Sequence, residues 1–254
     1  MAGHSEAPRA KARPSGPVFF SNPLMSDVES DWSPIHDAAF NGRVVPLQRL
    51  IAQGVCVNLS TLDQVSPLHG ACLQGHAACA QLLVDNGANV NGSTVDGRTA
   101  LTEACGRGHV TCVSLLLQHG ADPLGAGPFG PAIHRAAAEG HQECMEPLVR
   151  HGADVDQHAD RLGSPLHVAC SNLRLGAVRK LLQLGANVNG AVAGGDSPLH
   201  VAARLSSPEL VSVLLEHGAD GLRTNAQGQR ALDLAPAGSP AARLLRQAGG
   251  IQTE

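Results

Sequence analysis

One phrase is written seven times along this chain. Its clearest copy is Ser66–Asn91, SPLHGACLQGHAACAQLLVDNGANVN, and its opening falls at Ser33, Ser66, Thr99, Pro131, Ser164, Ser197 and Arg230. The steps are 33, 33, 32, 33, 33 and 33 residues. The closing glycines Gly54, Gly87, Gly120, Gly152, Gly185 and Gly218 keep the same beat. A unit this small cannot bury an apolar face alone. Self-similarity at such a period predicts a stack in which each unit covers its neighbours.

Within a unit the residues spell helix, tight turn, helix and hairpin loop. In the second unit Ser66 is placed to cap the first helix, and Pro67 sits in its first turn, where a missing N–H costs nothing. Leu68, Ala71 and Cys72 face inward at helical spacing. Gly75 supplies the turn, and Cys79, Leu82 and Leu83 line the second helix. Gly87 ends it, because glycine adopts positive φ cheaply. Asp96-Gly97 marks a hairpin tip. The expected fold is all-α, a solenoid of helix–turn–helix units with hairpin loops. The repeat region spans 31–248 as six full units and a short cap, and 249–254 form a tail. Residues 1–17, rich in Ala, Pro, Ser and Gly, read as disordered. The leader 18–30 carries Phe19 and Phe20 and serves either to cover the first unit or as a binding arm.

The exceptions mark adapted units. The third opening, Thr99-Ala100-Leu101-Thr102, lacks both the proline and the histidine. The hairpin that follows it is one residue short and carries Phe129. Pro147 falls inside the predicted second helix of the fourth unit, where it removes a hydrogen bond. Leu173 and Ser206 replace the inter-helix glycine in the fifth and sixth units.

Chemistry is hard to find in this pattern. Histidine recurs at the fourth place of the phrase (His36, His69, His134, His167, His200) with no second ligand nearby, and reads as a hydrogen-bonding brace near the helix start. Six of the seven cysteines occupy two apolar repeat positions, as buried reduced thiols would in a cytoplasmic or nuclear protein. No Cys-x-x-Cys pair suggests zinc, and no catalytic constellation stands out, so neither a cofactor, a metal nor an enzyme is expected. The formal charge of −4 disfavours a nucleic-acid partner, and no apolar run suits a membrane.

The Ser/Thr-Pro-Leu-His-x-Ala opening, the Gly-His turn and the Gly-Ala-Asn-Val-Asn close resemble the ankyrin repeat. The leader SNPLMSDVESDWSPIHDAA, the Cys-Val or Cys-Ala start of the second helix and the 32-residue step before Pro131 are similar to the ankyrin repeat and SOCS box family, its members numbered nine and eleven in particular. The resemblance implies a substrate protein on the concave face, creatine kinase being one candidate. It also implies elongin B/C and a cullin-based ubiquitin ligase, recruited through a SOCS box. That box would begin after the final cap, where this sequence finishes at Glu254. These 254 residues alone are therefore expected to bind a target without retaining elongin B/C. A stand-alone ankyrin scaffold or inhibitor is the alternative reading.

The concave face of such a stack is made of hairpin fingers and the outward side of the first helices. The candidate binding residues are Asp37, Phe40, Asn41, Leu73, Gln74, Arg107 and Arg135 on the helices. On the fingers they are Asp63, Gln64, Val95, Asp96, Arg98 and Phe129. Apolar bulk ranks Phe40, Leu73 and Phe129 first. Trp32 serves either as a plug on the first unit or as an anchor.

Overall fold

Proline or a small polar residue starts most of the first helices, and every helix is short enough to need a neighbour. The computed structural model describes residues 31–125, 130–160 and 162–249. The stretch 1–17, the leader 18–30 with Phe19 and Phe20, Phe129, and tail residues 250–254 lie outside them. The first helices of the units are α1 (Pro34–Phe40), α3 (Pro67–Gln74), α5 (Ala100–Arg107), α7 (Ala132–Glu139), α9 (Pro165–Ser171), α11 (Pro198–Arg204) and α13 (Ala231–Leu234). The second helices are α2 (Val44–Ala52), α4 (Ala77–Asp85), α6 (Val110–Gln118), α8 (Gln142–Arg150), α10 (Leu175–Gln183), α12 (Pro208–Glu216) and α14 (Pro240–Ala248). First helices pack on first helices and second on second along the first six units, which makes two layers. The fingers between units contain isolated antiparallel bridges, such as Ser93 with Thr99 and Thr224 with Arg230, and form no sheet among the described residues. The fold is the all-α solenoid predicted.

The core is a repeating stripe. Ile35, Leu68, Leu101, Ile133, Leu166 and Leu199 hold one register position, each no more than 1% exposed. Burying each such side chain is worth roughly 1.5–3 kcal/mol. The next stripe is small, Ala39, Cys72, Cys105, Ala137, Cys170 and Ala203, all fully buried, so neighbouring backbones approach closely. The six repeat cysteines are buried free thiols, and Cys56 is exposed. Pro147 leaves α8 at nine residues, as long as α6 and α10.

Two polar ladders lace the units together. In the first, the repeat histidine bonds backward and forward at once. Ser66 Oγ lies 2.8 Å and Ser66 N 3.2 Å from His69 Nδ1, while His69 Nε2 lies 3.1 Å from the Arg98 carbonyl at the door of the next unit. A carbonyl only accepts, so Nε2 carries the proton and Nδ1 accepts from serine. The same forward bond joins His36 to Val65, His134 to Gly163, His167 to Asp196 and His200 to Gln229. The brace expected within a helix start thus spans two units. Pro131 offers neither hydroxyl nor N–H, and His134 Nδ1 is buried without a partner. In the third unit Thr102 turns its hydroxyl onto the Thr99 carbonyl instead, at 2.9 Å.

The second ladder uses asparagine. Asn58 Nδ2 donates to the Gly87 carbonyl and its Oδ1 accepts from Asn89 N. Asn91 does the same with Gly120 and Asp122, and Asn189 with Gly218 and Asp220. Leu124 occupies this place in the third unit and cannot take part.

The turn glycines are required by their neighbours. Gly75 has φ +77, and a Cβ there would lie 2.5 Å from His109 Nδ1; Gly42 meets His76 and Gly108 meets His141 in the same way. The register places Ser207 opposite Leu173, and its hydroxyl is turned onto its own helix, accepting from Leu210 N at 3.3 Å. Leu173 therefore takes φ +56 without a ring above it, and Ser206 takes φ +54. Gly75→Ala should destabilise the chain by ~2 kcal/mol or more in chemical unfolding, combining left-handed strain with overpacking. Leu173→Gly should stay within ~1 kcal/mol of the parent, since relief of strain offsets the freer unfolded chain.

Burial holds His69, His134 and His167 below the ordinary value of 6.5. The unfolded chain then binds more protons at mildly acid pH, so stability is complete above pH 6.5 and lost as pH falls through the lowered values. Unfolding midpoints measured between pH 7.5 and roughly 5 should fall steadily, and a His69→Thr variant, copying Thr102, should lose less over that range.

Candidate protein-binding surface

The outward side of the first helices carries three rows set by the repeat. One row reads Phe40, Leu73, Gly106, Ala138, Ser171, Arg204. It is apolar at the amino-terminal end and turns small and then basic. Phe40 is half-buried: its ring meets Trp32 edge-on at 5.7 Å between centroids, and its side chain stands 3.5 Å from where a Cβ on Gly70 would be. Trp32 also lies against His36, 5.0 Å between centroids, so the indole packs on the first unit. Leu73 and Gln74 are half-buried on α3. Gly70 is buried beneath Phe40, where a Cβ would make only ordinary van der Waals contact with the phenylalanine.

Charge takes over from the third unit. Arg107 is exposed at the end of α5, and Arg135 on α7 lies across Gly106 while pairing with Glu139 at 3.5 Å. Glu139 also sits 3.8 Å from Arg174. Asp37 pairs with Arg43 at 2.9 Å and accepts from Asn41 Nδ2 at 2.8 Å, which fixes both candidate side chains on α1. Val168, at the position equivalent to Arg135, is 7% exposed and covered within the first-helix layer.

The fingers add apolar tips. The backbone carbonyl of Asp63 accepts from Val95 N at 2.9 Å, tying the first two tips together. Leu62 is 69% and Val95 66% exposed beside them. Gln64 holds φ +59 where the second, fifth and sixth fingers have glycine, a strained placement of a side chain at an exposed turn. Arg98 pairs with Asp96 at 3.0 Å and Glu103 at 3.1 Å, so these charges set finger geometry more than affinity. A polar groove of about 570 Å³ separates the two fingers, lined by Asn58, Gln64, Ser66, His69 and Asn89 among others.

The structure thus gathers Trp32, Phe40, Leu73, Asp63, Gln64 and Val95 in the first two units, and sets Arg107 and Arg135 apart in the third and fourth. Leu62 was overlooked in the sequence; its signal is an apolar residue at the same finger position as Val95. Among the described residues no group of three or more His, Cys, Asp or Glu could hold a metal ion. No described helix is long and apolar enough to cross a membrane.

Comparison with known proteins agrees with this architecture. The family model for ankyrin repeats in three copies matches residues 35–126 and 124–192, and the single ankyrin repeat model matches 194–227. Ankyrin repeat and SOCS box protein 9 of Mus musculus is 50% identical over 235 residues, 92% of this chain and 81% of that protein. Its Homo sapiens counterpart is 52% identical over 245 residues, 94% of this chain and 83% of that protein. The crystal structure of the human ASB11 ankyrin repeat domain superposes with a TM-score of 0.80 at 46% identity, covering 87% of this chain and all of that one. The ankyrin repeat domain of Bcl-3 gives 0.76 at 30% identity, over 86% of this chain and all of that one. The chain belongs to the ankyrin repeat and SOCS box family.

Proposed function

We propose that the concave face recognises a substrate protein and that docking centres on the first two units. In this reading the chain is the recognition part of an adaptor, and a SOCS box passes the bound substrate to elongin B/C and a cullin ubiquitin ligase. The observation that carries the location is the grouping of apolar surface at one end. Phe40 and Leu73 on the first helices, with Trp32 packed against Phe40, belong to the same two units as the exposed finger tips Leu62 and Val95. Aromatic and aliphatic anchors of this kind dominate interface energy, while the paired charges further along contribute orientation. Creatine kinase is the first substrate to test, by likeness to the ninth family member.

Binding of creatine kinase to the 254-residue chain should be measured by titration calorimetry. Phe40→Ala, Leu62→Ser and deletion of residues 1–30, which carry Phe19 and Phe20, are each expected to weaken it by roughly tenfold or more, and Arg204→Ala by no more than about threefold. Unchanged affinity in the first three variants would reject the location. No binding of the parent chain would remove creatine kinase as substrate.

A further inference from the structure

We propose that Arg135 and Arg174, in the fourth and fifth units, hold a carboxylate-rich segment of the substrate, laid along the stack beyond the apolar anchors. Glu139 on α7 shows that the two arginines are neighbours. Its carboxylate lies 3.5 Å from Arg135 Nη1 and 3.8 Å from Arg174 Nη2, so two cations share one anion. Both separations are longer than the about 2.7–2.9 Å of a close charge-assisted bond. Toward the amino-terminal end the balance differs. Asp37 and Arg43 meet one to one at 2.9 Å, and Arg98 stands between Asp96 and Glu103 at 3.0 and 3.1 Å. The side chains at the shared carboxylate are open to a partner: Arg135 is 34%, Glu139 37% and Arg174 46% exposed.

The fold sets both guanidinium groups in place before a ligand arrives. Arg135 lies across Gly106 of the preceding unit, where a Cβ would stand 2.8 Å from its Nε. Gly106 is inside α5 and has no positive φ, so the backbone does not require glycine there. Glycine weakens a helix interior. What it provides is room for the Arg135 side chain, which a residue such as Leu73, at the same repeat position, would displace. Arg107 follows directly, exposed at the end of α5, and extends the positive region. Arg174 is fixed from the other side. Its stem crosses Gly140, and its Nε donates to the Ala138 carbonyl at 3.1 Å. Groups already ordered lose less freedom on binding.

The ligand chemistry follows from what occupies the site now. A carboxylate of the chain's own, Glu139, lies within reach of both guanidinium groups without a close bond to either. Exposed pairs of this kind contribute little to stability, so exchanging Glu139 for a partner's carboxylates costs little. Each guanidinium fork can then take an incoming carboxylate with two parallel bonds. A nucleic-acid backbone would call for a longer run of cations than this chain, at a formal charge of −4, presents. An acidic stretch here and apolar anchors in the first two units fix the direction in which a substrate lies along the stack. The inference rests on the first-helix face being the recognition surface, but not on creatine kinase or on the first two units as the docking centre.

The test titrates the full 254-residue chain against a fluorescein-labelled peptide of alternating glutamate and glycine, about ten residues long, at about 50 mM salt, read by anisotropy. Arg135→Ala and Arg174→Ala should each weaken binding by about fivefold or more, and Arg135→Lys, which keeps the charge but loses the fork, by about threefold. Glu139→Gln should tighten binding about threefold, because the internal competitor is gone. Glu216→Gln, which removes the same charge from an exposed place at the end of α12, should leave it unchanged. Phe40→Ala should also leave the peptide's affinity unchanged, so a failure of docking at the first two units would be seen separately, with creatine kinase. The proposal is overturned if the parent binds no more tightly than the Arg135→Ala/Arg174→Ala double variant, or if Phe40→Ala weakens binding as much as Arg135→Ala. It also fails if Glu139→Gln does not tighten binding, if Glu216→Gln tightens it equally, or if an oligothymidylate of the same length binds as tightly as the peptide.

Discussion

No unit of this chain has two sides of its own to press together. In the first six units a pair of helices seven to nine residues long buries little, and helices of that length are marginal in water by themselves. The apolar stripes at Ile35, Leu68 and their equivalents become a core only when the next unit lies against them. The small stripe beside them, alanine or cysteine throughout, sets how near that unit comes. Everything else in the structure serves to keep this stacking in register.

Hydrophobic contact is not directional, so the register comes from polar groups. A histidine that must accept from its own serine and donate to the next unit's doorway has a single satisfactory position. Each such hydrogen bond contributes on the order of 1 kcal/mol, but leaving one partner buried and unpaired costs more, which makes the ladder selective as well as stabilising. The asparagine bridges act likewise on the finger side. With the units so fixed, residues one repeat apart in sequence stand in rows along the first helices, and a row such as Phe40, Leu73, Gly106 and Ala138 becomes a surface with a gradient. Recognition follows from that alignment, because single side chains on separate short helices could not present one face.

Much of this was legible in the sequence because a period reports position within a unit. Caps, turn glycines, the inward stripes and a bracing role for the histidines all rest on local spacing. What crosses between units was not legible. His69 announced a brace, but its forward reach to Arg98 depends on how the next finger folds back. Gly75 read as a turn residue, whereas its sharper constraint is the ring of His109 above it. On the face itself, Phe40 and Leu73 were readable as apolar outliers. Phe40 proves half-buried between Trp32 and Gly70, and Leu62 escaped notice within a polar loop.

The central claim is that neighbours, joined by core and ladders, share one stability, and that coupling is weakest where both ladders lapse. Native-state hydrogen exchange of the buried helical amides across a urea series tests it directly. The account predicts that α1–α6 open as one cooperative block and α7–α12 as another, separating at the third junction before global unfolding. Units that open one by one, or a single transition with no division there, would contradict it.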